Sequence, residues 1–212
     1  TKGLFARGRA HPHHGAFAEG GARHRRRRVA DEDDHGHDAL RCEQPELERT
    51  RDKFLKSVEG LSEAQWNYKA APEKWSIAQC AEHIAAAESL IRGAVEKALT
   101  APLPADQDAA ALVKDEMIQK VIVDRSKKFS APEPLVPTNR FESPAAAVDA
   151  FRKERATTLK LAQGDSDFRA HATQHPGFGM LDTYGWMLFL SGHTERHTLQ
   201  IEEVKANADY PK

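Results

Sequence analysis

Apolar residues recur at steps of three and four along four stretches of the chain, the spacing that gathers them on one helix face. The first stretch opens at Pro45, a residue suited to a first helical turn. It carries Leu47, Phe54, Leu55 and Val58 and meets Gly60 at its end. Ser62-Glu-Ala-Gln65 has the capping-box pattern and predicts a short helical piece before Pro72. The second long helix has the sharpest start, because Ser76-Ile-Ala-Gln79 is another capping box with Trp75 in the staple position. Its stripe reads Ile77, Cys80, Ile84, Ala87, Ile91, Val95 and Ala98, with His83 flanking on the side of Ala87 and Leu90, and it ends before Pro102 and Pro104. Residues 105–128 are patchier and predict one or two short helices around Leu112, Ile118, Val121 and Ile122. Pro132, Pro134 and Pro137 mark 129–143 as a surface loop. Ser143-Pro144 then opens a third helix, expected to bury Val148, Phe151, Ala156 and Leu159 and to stop near Gly164. Residues 165–180, with His171, His175, Pro176, Gly177 and Gly179, read as a second loop. The last helix runs from about Leu181 to Asn207 on the stripe Trp186, Leu190, His193, His197, Ile201, Val204. With no strand pattern and no repeat, the fold class expected is all-α, a four-helix bundle.

The first 44 residues break this pattern. They hold six of the eleven histidines, the run Arg25-Arg-Arg-Arg28 and the acidic patch Asp31-Glu-Asp-Asp34, and their apolar residues have no period. Such a segment buries too little surface to offset its ordering entropy, so residues 1–44 are expected to be a disordered tail and 45–212 the bundle. The Arg run and the His cluster also suit a nucleic-acid arm or a metal-buffering tail, though a non-functional extension is the plainer reading. The Arg/Ala/Gly/His bias resembles a reading frame translated out of register, which leaves the native start and any export signal open.

Bulk numbers remove several function classes. A formal net charge of −1 gives no reason to expect nucleic acid or an anionic membrane as partner. No apolar run is long enough to span a bilayer, and a cytoplasmic location is expected. Cys42 and Cys80 make no disulfide framework, and Cys80 falls in a buried stripe.

The candidate chemistry lies in Ser191-Gly-His-Thr-Glu-Arg-His-Thr-Leu-Gln200. His193 and His197 are four residues apart, on one helix face at roughly 6 Å between Cβ atoms. Both occupy core register, where two adjacent imidazoles without partners are costly to bury. They can share one metal ion, and His83 on a facing helix would complete a three-nitrogen cap that leaves a coordination position open. A single seam histidine is more often a hydrogen-bonded core residue, so a metal-free bundle remains the competing reading. The pair lacks the glutamate of the HExxH motif: Thr194 and Glu195 follow His193, and Glu195 lies round the helix from His197's side. Glu82, Glu195 and Gln200 are candidates to orient the imidazoles, Gln200 first because it lies one turn beyond His197. His175 could line the entrance or be a structural turn residue, and Trp66, Trp75 and Trp186 read as core or staple residues.

Three segments, Trp75-Ser-Ile-Ala-Gln-Cys-Ala-Glu-His83, His175-Pro-Gly-Phe-Gly-Met-Leu181, and Trp186 through His193-Thr-Glu-Arg-His197 to Gln200-Ile201, together resemble the DinB-like superfamily. That superfamily includes the DinB proteins, bacillithiol S-transferases and mycothiol-dependent maleylpyruvate isomerases. The match covers about residues 46–211. It implies an up-down-down-up four-helix bundle with a divalent metal, zinc or nickel first and iron or manganese as further candidates, held by His83, His193 and His197. It also implies a small-molecule substrate, with a low-molecular-weight thiol among the candidates, and a homodimer. The function expected is a metal-dependent thiol transferase or hydrolase. A non-catalytic metal-binding stress module is the alternative.

Overall fold

The computed structural model describes residues 35–101 and 111–212, with side chains from Gln44 onward. Of the tail expected over residues 1–44, residues 1–34 lie outside the described residues, as do residues 105–110 of the patchy segment, while residues 35–44 belong to α1. Six helices and one hairpin follow in order: α1 His35–Ser57, α2 Glu63–Asn67, α3 Ile77–Ala98, α4 Asp115–Val123, a 3-10 turn Glu133–Leu135, α5 Pro144–Ala162, β1 Ala172–His175, β2 Gly179–Asp182 and α6 Thr183–Lys205. Helix α1 begins ten residues before the start expected at Pro45, which lies inside it. A proline's missing N–H suits a first turn but does not by itself end the helix that precedes it.

Both capping boxes form. Ser62 and Ser76 accept from the backbone N–H of Gln65 and Gln79, whose side chains reach back to the capping residues. Ser143 caps α5 through Ala146, with Pro144 at the first helical position. Gly60, at φ +69°, turns the chain after α1.

Four long helices make the bundle. α1 packs on α6 and α5, and α3 packs on the same two, so chain neighbours α1 and α3 lie diagonally across it. Two apolar clusters fix the directions. One holds Phe54, Val58, Ile77, Cys80, Ile84, Val148, Phe151 and Ile201. The other holds Leu47, Ile91, Val95, Leu159, Ala162, Trp186 and Leu190. Passing from one cluster to the other, α1 and α6 run one way and α3 and α5 the opposite way. The topology is therefore up-down-down-up.

A polar layer separates the clusters. Arg155 is fully buried at a position of α5 where the sequence suggested Ala156, which is exposed. The spacing Val148, Phe151, Arg155, Leu159 is the true stripe, and a charged residue conceals it. All five guanidinium N–H groups are used. Nε and Nη2 donate to the two carboxylate oxygens of Glu88 at 2.7 and 2.8 Å, Nη1 to Leu47 O and Thr50 Oγ1 at 2.7 and 3.0 Å, and Nη2 also to Thr194 Oγ1 at 2.8 Å. One side chain thus ties α5 to α3, α1 and α6.

The segment 165–180, expected as loop throughout, contains the hairpin. Ala172 pairs with Asp182 and His175 with Gly179, leaving a three-residue turn that Gly179 closes at φ +94°. Strands of four residues are too short for an alternation to register in sequence. Helix α4 lies on α6 along Gly185 and Gly192. A Cβ on Gly192 would come within 2.3 Å of Ile122 Cγ2.

Arg155→Met leaves Glu88 buried and unpaired, so the urea midpoint should fall by an amount worth about 3–5 kcal/mol, and adding Glu88→Leu should recover most of it. A single variant with an unchanged midpoint would contradict the role given to this pair. Gly192→Ala should cost about 1–3 kcal/mol by overpacking, relieved by Ile122→Ala in the same unfolding measurement.

Candidate metal centre

Helices α3 and α6 run antiparallel beside each other and bring three imidazoles to one point between the clusters. His83, His193 and His197 are 2, 9 and 8% exposed. One ring nitrogen from each lies within 4.8 Å of the others. His83 Nε2 and His193 Nε2 stand 3.1 Å apart, and the ring centroids are 4.3 to 5.0 Å apart. The i,i+4 spacing on α6 sets the His193–His197 pair, and the core register of both residues turns them toward α3.

Each ring is held from behind. His83 Nδ1 bonds Leu135 O at 2.7 Å, and His197 Nδ1 bonds Gln200 Oε1 at 2.9 Å. Both partners accept, so Nδ1 carries the proton and Nε2 keeps its lone pair in these two rings. Trp75 lies against His83 and His197, at 4.8 and 6.0 Å between centroids, and Phe189 lies 6.0 Å from His193. Burial pulls all three histidines below their ordinary pKa, His193 and His197 furthest, and for these two the neighbouring imidazoles add to the effect. The cluster is therefore neutral at pH 7, the form in which imidazole is a metal ligand.

The donor set fits a divalent cation. Two nitrogens each about 2.1 Å from one ion stand about 3.0–3.4 Å apart, which matches the His83–His193 separation. Without an ion, a proton on His193 Nε2 makes the same contact a hydrogen bond donated to His83 Nε2.

Of the three candidate orienting residues, Gln200 alone touches an imidazole. Glu195 turns to α1, where Lys53 and Arg49 pair with it. Glu82 faces the proline-rich loop, accepting from the backbone N–H groups of Thr138, Asn139 and Arg140 at 2.7, 3.0 and 3.3 Å and from Arg140 Nε at 3.0 Å. Burial opposes its charge, but these bonds outweigh burial and hold its pKa below the ordinary value. Glu82 thereby anchors the loop whose Leu135 carbonyl fixes His83. That carbonyl is a functional group the sequence could not reveal, since a backbone oxygen carries no residue signature.

The surroundings are apolar and aromatic. Trp186 donates to Thr173 Oγ1 at 2.9 Å and so pins β1 to α6. Leu90, expected on the His83 side with Ala87, is half exposed, while Ala87 is buried. Two surface clefts, one along Leu55, Trp66 and Val148 and one beside Glu82 and Asn139, are not lined by the three histidines. Cys80 is fully buried, and its thiol is pushed up to about 12, which leaves it unreactive.

A bundle of this topology with a histidine cluster between α3 and α6 defines a class of helical proteins with a ligand set for a divalent metal. The DinB superfamily profile matches residues 46–201, and the chain belongs to that superfamily. It is similar to an uncharacterised protein, YuaE, of Bacillus subtilis strain 168, 27% identical over 151 residues that span 70% of this chain and 88% of that one. Among solved structures it is similar in fold to YfiT from Bacillus subtilis, described as a probable metal-dependent hydrolase with an unusual four-helix bundle topology. That likeness has a TM-score of 0.52 at 16% identity and covers 78% of this chain and 85% of YfiT. No helix among the described residues is long and apolar enough to cross a membrane.

Glu82→Ala should release the loop without disturbing the Arg155 layer. The expected result is amide exchange at Thr138 and Asn139 accelerated by about 10-fold or more, with exchange in α5 unchanged. Equal rates in both proteins would show that the loop is held by something else.

Proposed function

We propose that the chain is a divalent-metal-dependent enzyme acting on a small molecule, a hydrolase or a thiol transferase, with His83, His193 and His197 as the metal ligands. One observation carries the reading: three buried, neutral imidazoles converge on one point, and two are held with Nε2 unprotonated. Three protein ligands leave a position open. A bound divalent ion supplies Lewis acidity and a water or thiol of lowered pKa at that position. Leu135 O and Gln200 Oε1 keep the rings aimed. Trp75 and Phe189 exclude water from the ring faces, which strengthens every electrostatic interaction within. The Arg155 layer keeps α3 and α6 in register and so sets the spacing of the ligands.

This reading divides the chemistry between hydrolysis and thiol transfer. The probable hydrolase activity attributed to YfiT favours hydrolysis, and the resemblance to bacillithiol S-transferases favours thiol transfer. No carboxylate touches the three rings among the described residues, which suits a reaction whose nucleophile is activated by the ion alone.

The full chain should bind about one more equivalent of cobalt or zinc per molecule than the His193→Ala/His197→Ala variant, measured by elemental analysis after dialysis. The difference removes any contribution from the histidine-rich first 44 residues. Equal metal content in the two proteins would end the proposal. Turnover of an ester or amide panel, or of bacillithiol with an electrophile panel, should be lost on chelation, return with metal, and fall in His83→Ala.

A further inference from the structure

A fourth histidine, His175, ends β1 and packs on α6, the helix that carries His193 and His197. The hairpin register puts Thr173 and His175 on one face, and the Trp186–Thr173 hydrogen bond seats that face on α6. The His175 ring packs on Trp186 and Phe189 at 4.8 and 4.4 Å between centroids. Phe189 in turn contacts the His193 ring, one helical turn further on.

Its tautomer is set by the turn. Nδ1 accepts from the backbone N–H of Gly177 at 3.0 Å and of Phe178 at 3.1 Å. A nitrogen receiving two N–H groups cannot carry its own proton, so the proton sits on Nε2, on the far side of the ring. Nε2 makes no hydrogen bond among the described residues. The ring is half-buried, and burial lowers its pKa to about 4. Both facts keep it neutral, and a neutral donor can stand beside a dication where an imidazolium would be repelled. A neutral imidazole N–H is also a competent hydrogen-bond donor to a carbonyl under polarisation.

We propose that His175 Nε2–H binds the substrate, donating to an acceptor oxygen, a carbonyl or an oxyanion, of the molecule held at the three-histidine centre. This rests on the metal reading above. It narrows the substrate class to compounds that present an oxygen acceptor next to the metal-binding atom, such as esters, amides, carboxylates or hydroxamates. A bare alkyl thiol offers no such oxygen.

The test uses full-length protein loaded with cobalt(II), with acetohydroxamate as the probe and the cobalt visible spectrum as the readout. His175→Phe keeps an aromatic ring against Trp186 and Phe189 but removes the donor, and His175→Gln restores an N–H. All three proteins should load cobalt equally. His175→Phe should bind acetohydroxamate about tenfold more weakly than wild type, the loss expected for one hydrogen bond, and His175→Gln should recover part of it. Equal loading with equal probe affinity in His175→Phe overturns this proposal alone. So does loss of cobalt from His175→Phe, which would put His175 in the ligand set, and so does cobalt-loaded wild type that ignores the probe. Wild type that binds no cobalt beyond the His193→Ala/His197→Ala level overturns the metal reading and this proposal with it.

Discussion

The structure depends on a buried cation. Arg155 has no contact with solvent, yet it touches all four long helices and leaves none of its donors unused. An ion pair out of water gains little net stability, because desolvation consumes most of the attraction. What it supplies is discrimination. Apolar helices can slide by a turn at modest cost, but a slid Arg155 would strand Glu88, Thr50 and Thr194 together. The register of α3 against α6, and therefore the separation of the His83 and His193 rings, is held by this knot more than by the leucines and isoleucines on either side.

Helix α6 shows how one element serves every neighbour. His193 and His197 face α3, Thr194 receives Arg155, Glu195 pairs with α1, and Arg196 donates to Ile122 O, Asp124 O and Lys127 O at the end of α4. Five consecutive residues thus include partners for four different directions. A helix so placed is buried on nearly all sides, and its polar groups are the means by which it is positioned.

Much of this was legible in the chain. The stripes of α3 and α6, both capping boxes and the Ser143-Pro144 start depend on local spacing, and local spacing is what a sequence displays. His193 and His197 could be paired for the same reason, and His83 entered through the resemblance carried by its flanking residues. What escaped reading was non-local or unlike its class. Arg155 occupies a stripe position that an apolar pattern assigns to its neighbour Ala156. Leu135 acts through its carbonyl. The four-residue strands of the hairpin are defined by each other. Glu82 and Glu195 were sensible partners for imidazole by proximity in sequence, yet each found a stronger one, a set of loop amides and a pair of α1 cations, that only the fold brings near.

The diagonal placement of α1 and α3 has a bearing on how the protein is made. The first long helix finds its parallel neighbour in the last, and both the Arg155 knot and the histidine cluster need residues from α6, with His83 and His193 separated by 110 positions. Contacts so distant along the chain are slow to form and carry a large loop-closure cost. A nascent chain emerging from its N-terminus would hold Glu88 and Arg155 together early but would carry only a lone imidazole at the future site. The three-histidine set of this architecture is thereby completed only once synthesis has passed α6, so whatever an incomplete chain binds through its early histidines, it does not yet hold the assembled cluster.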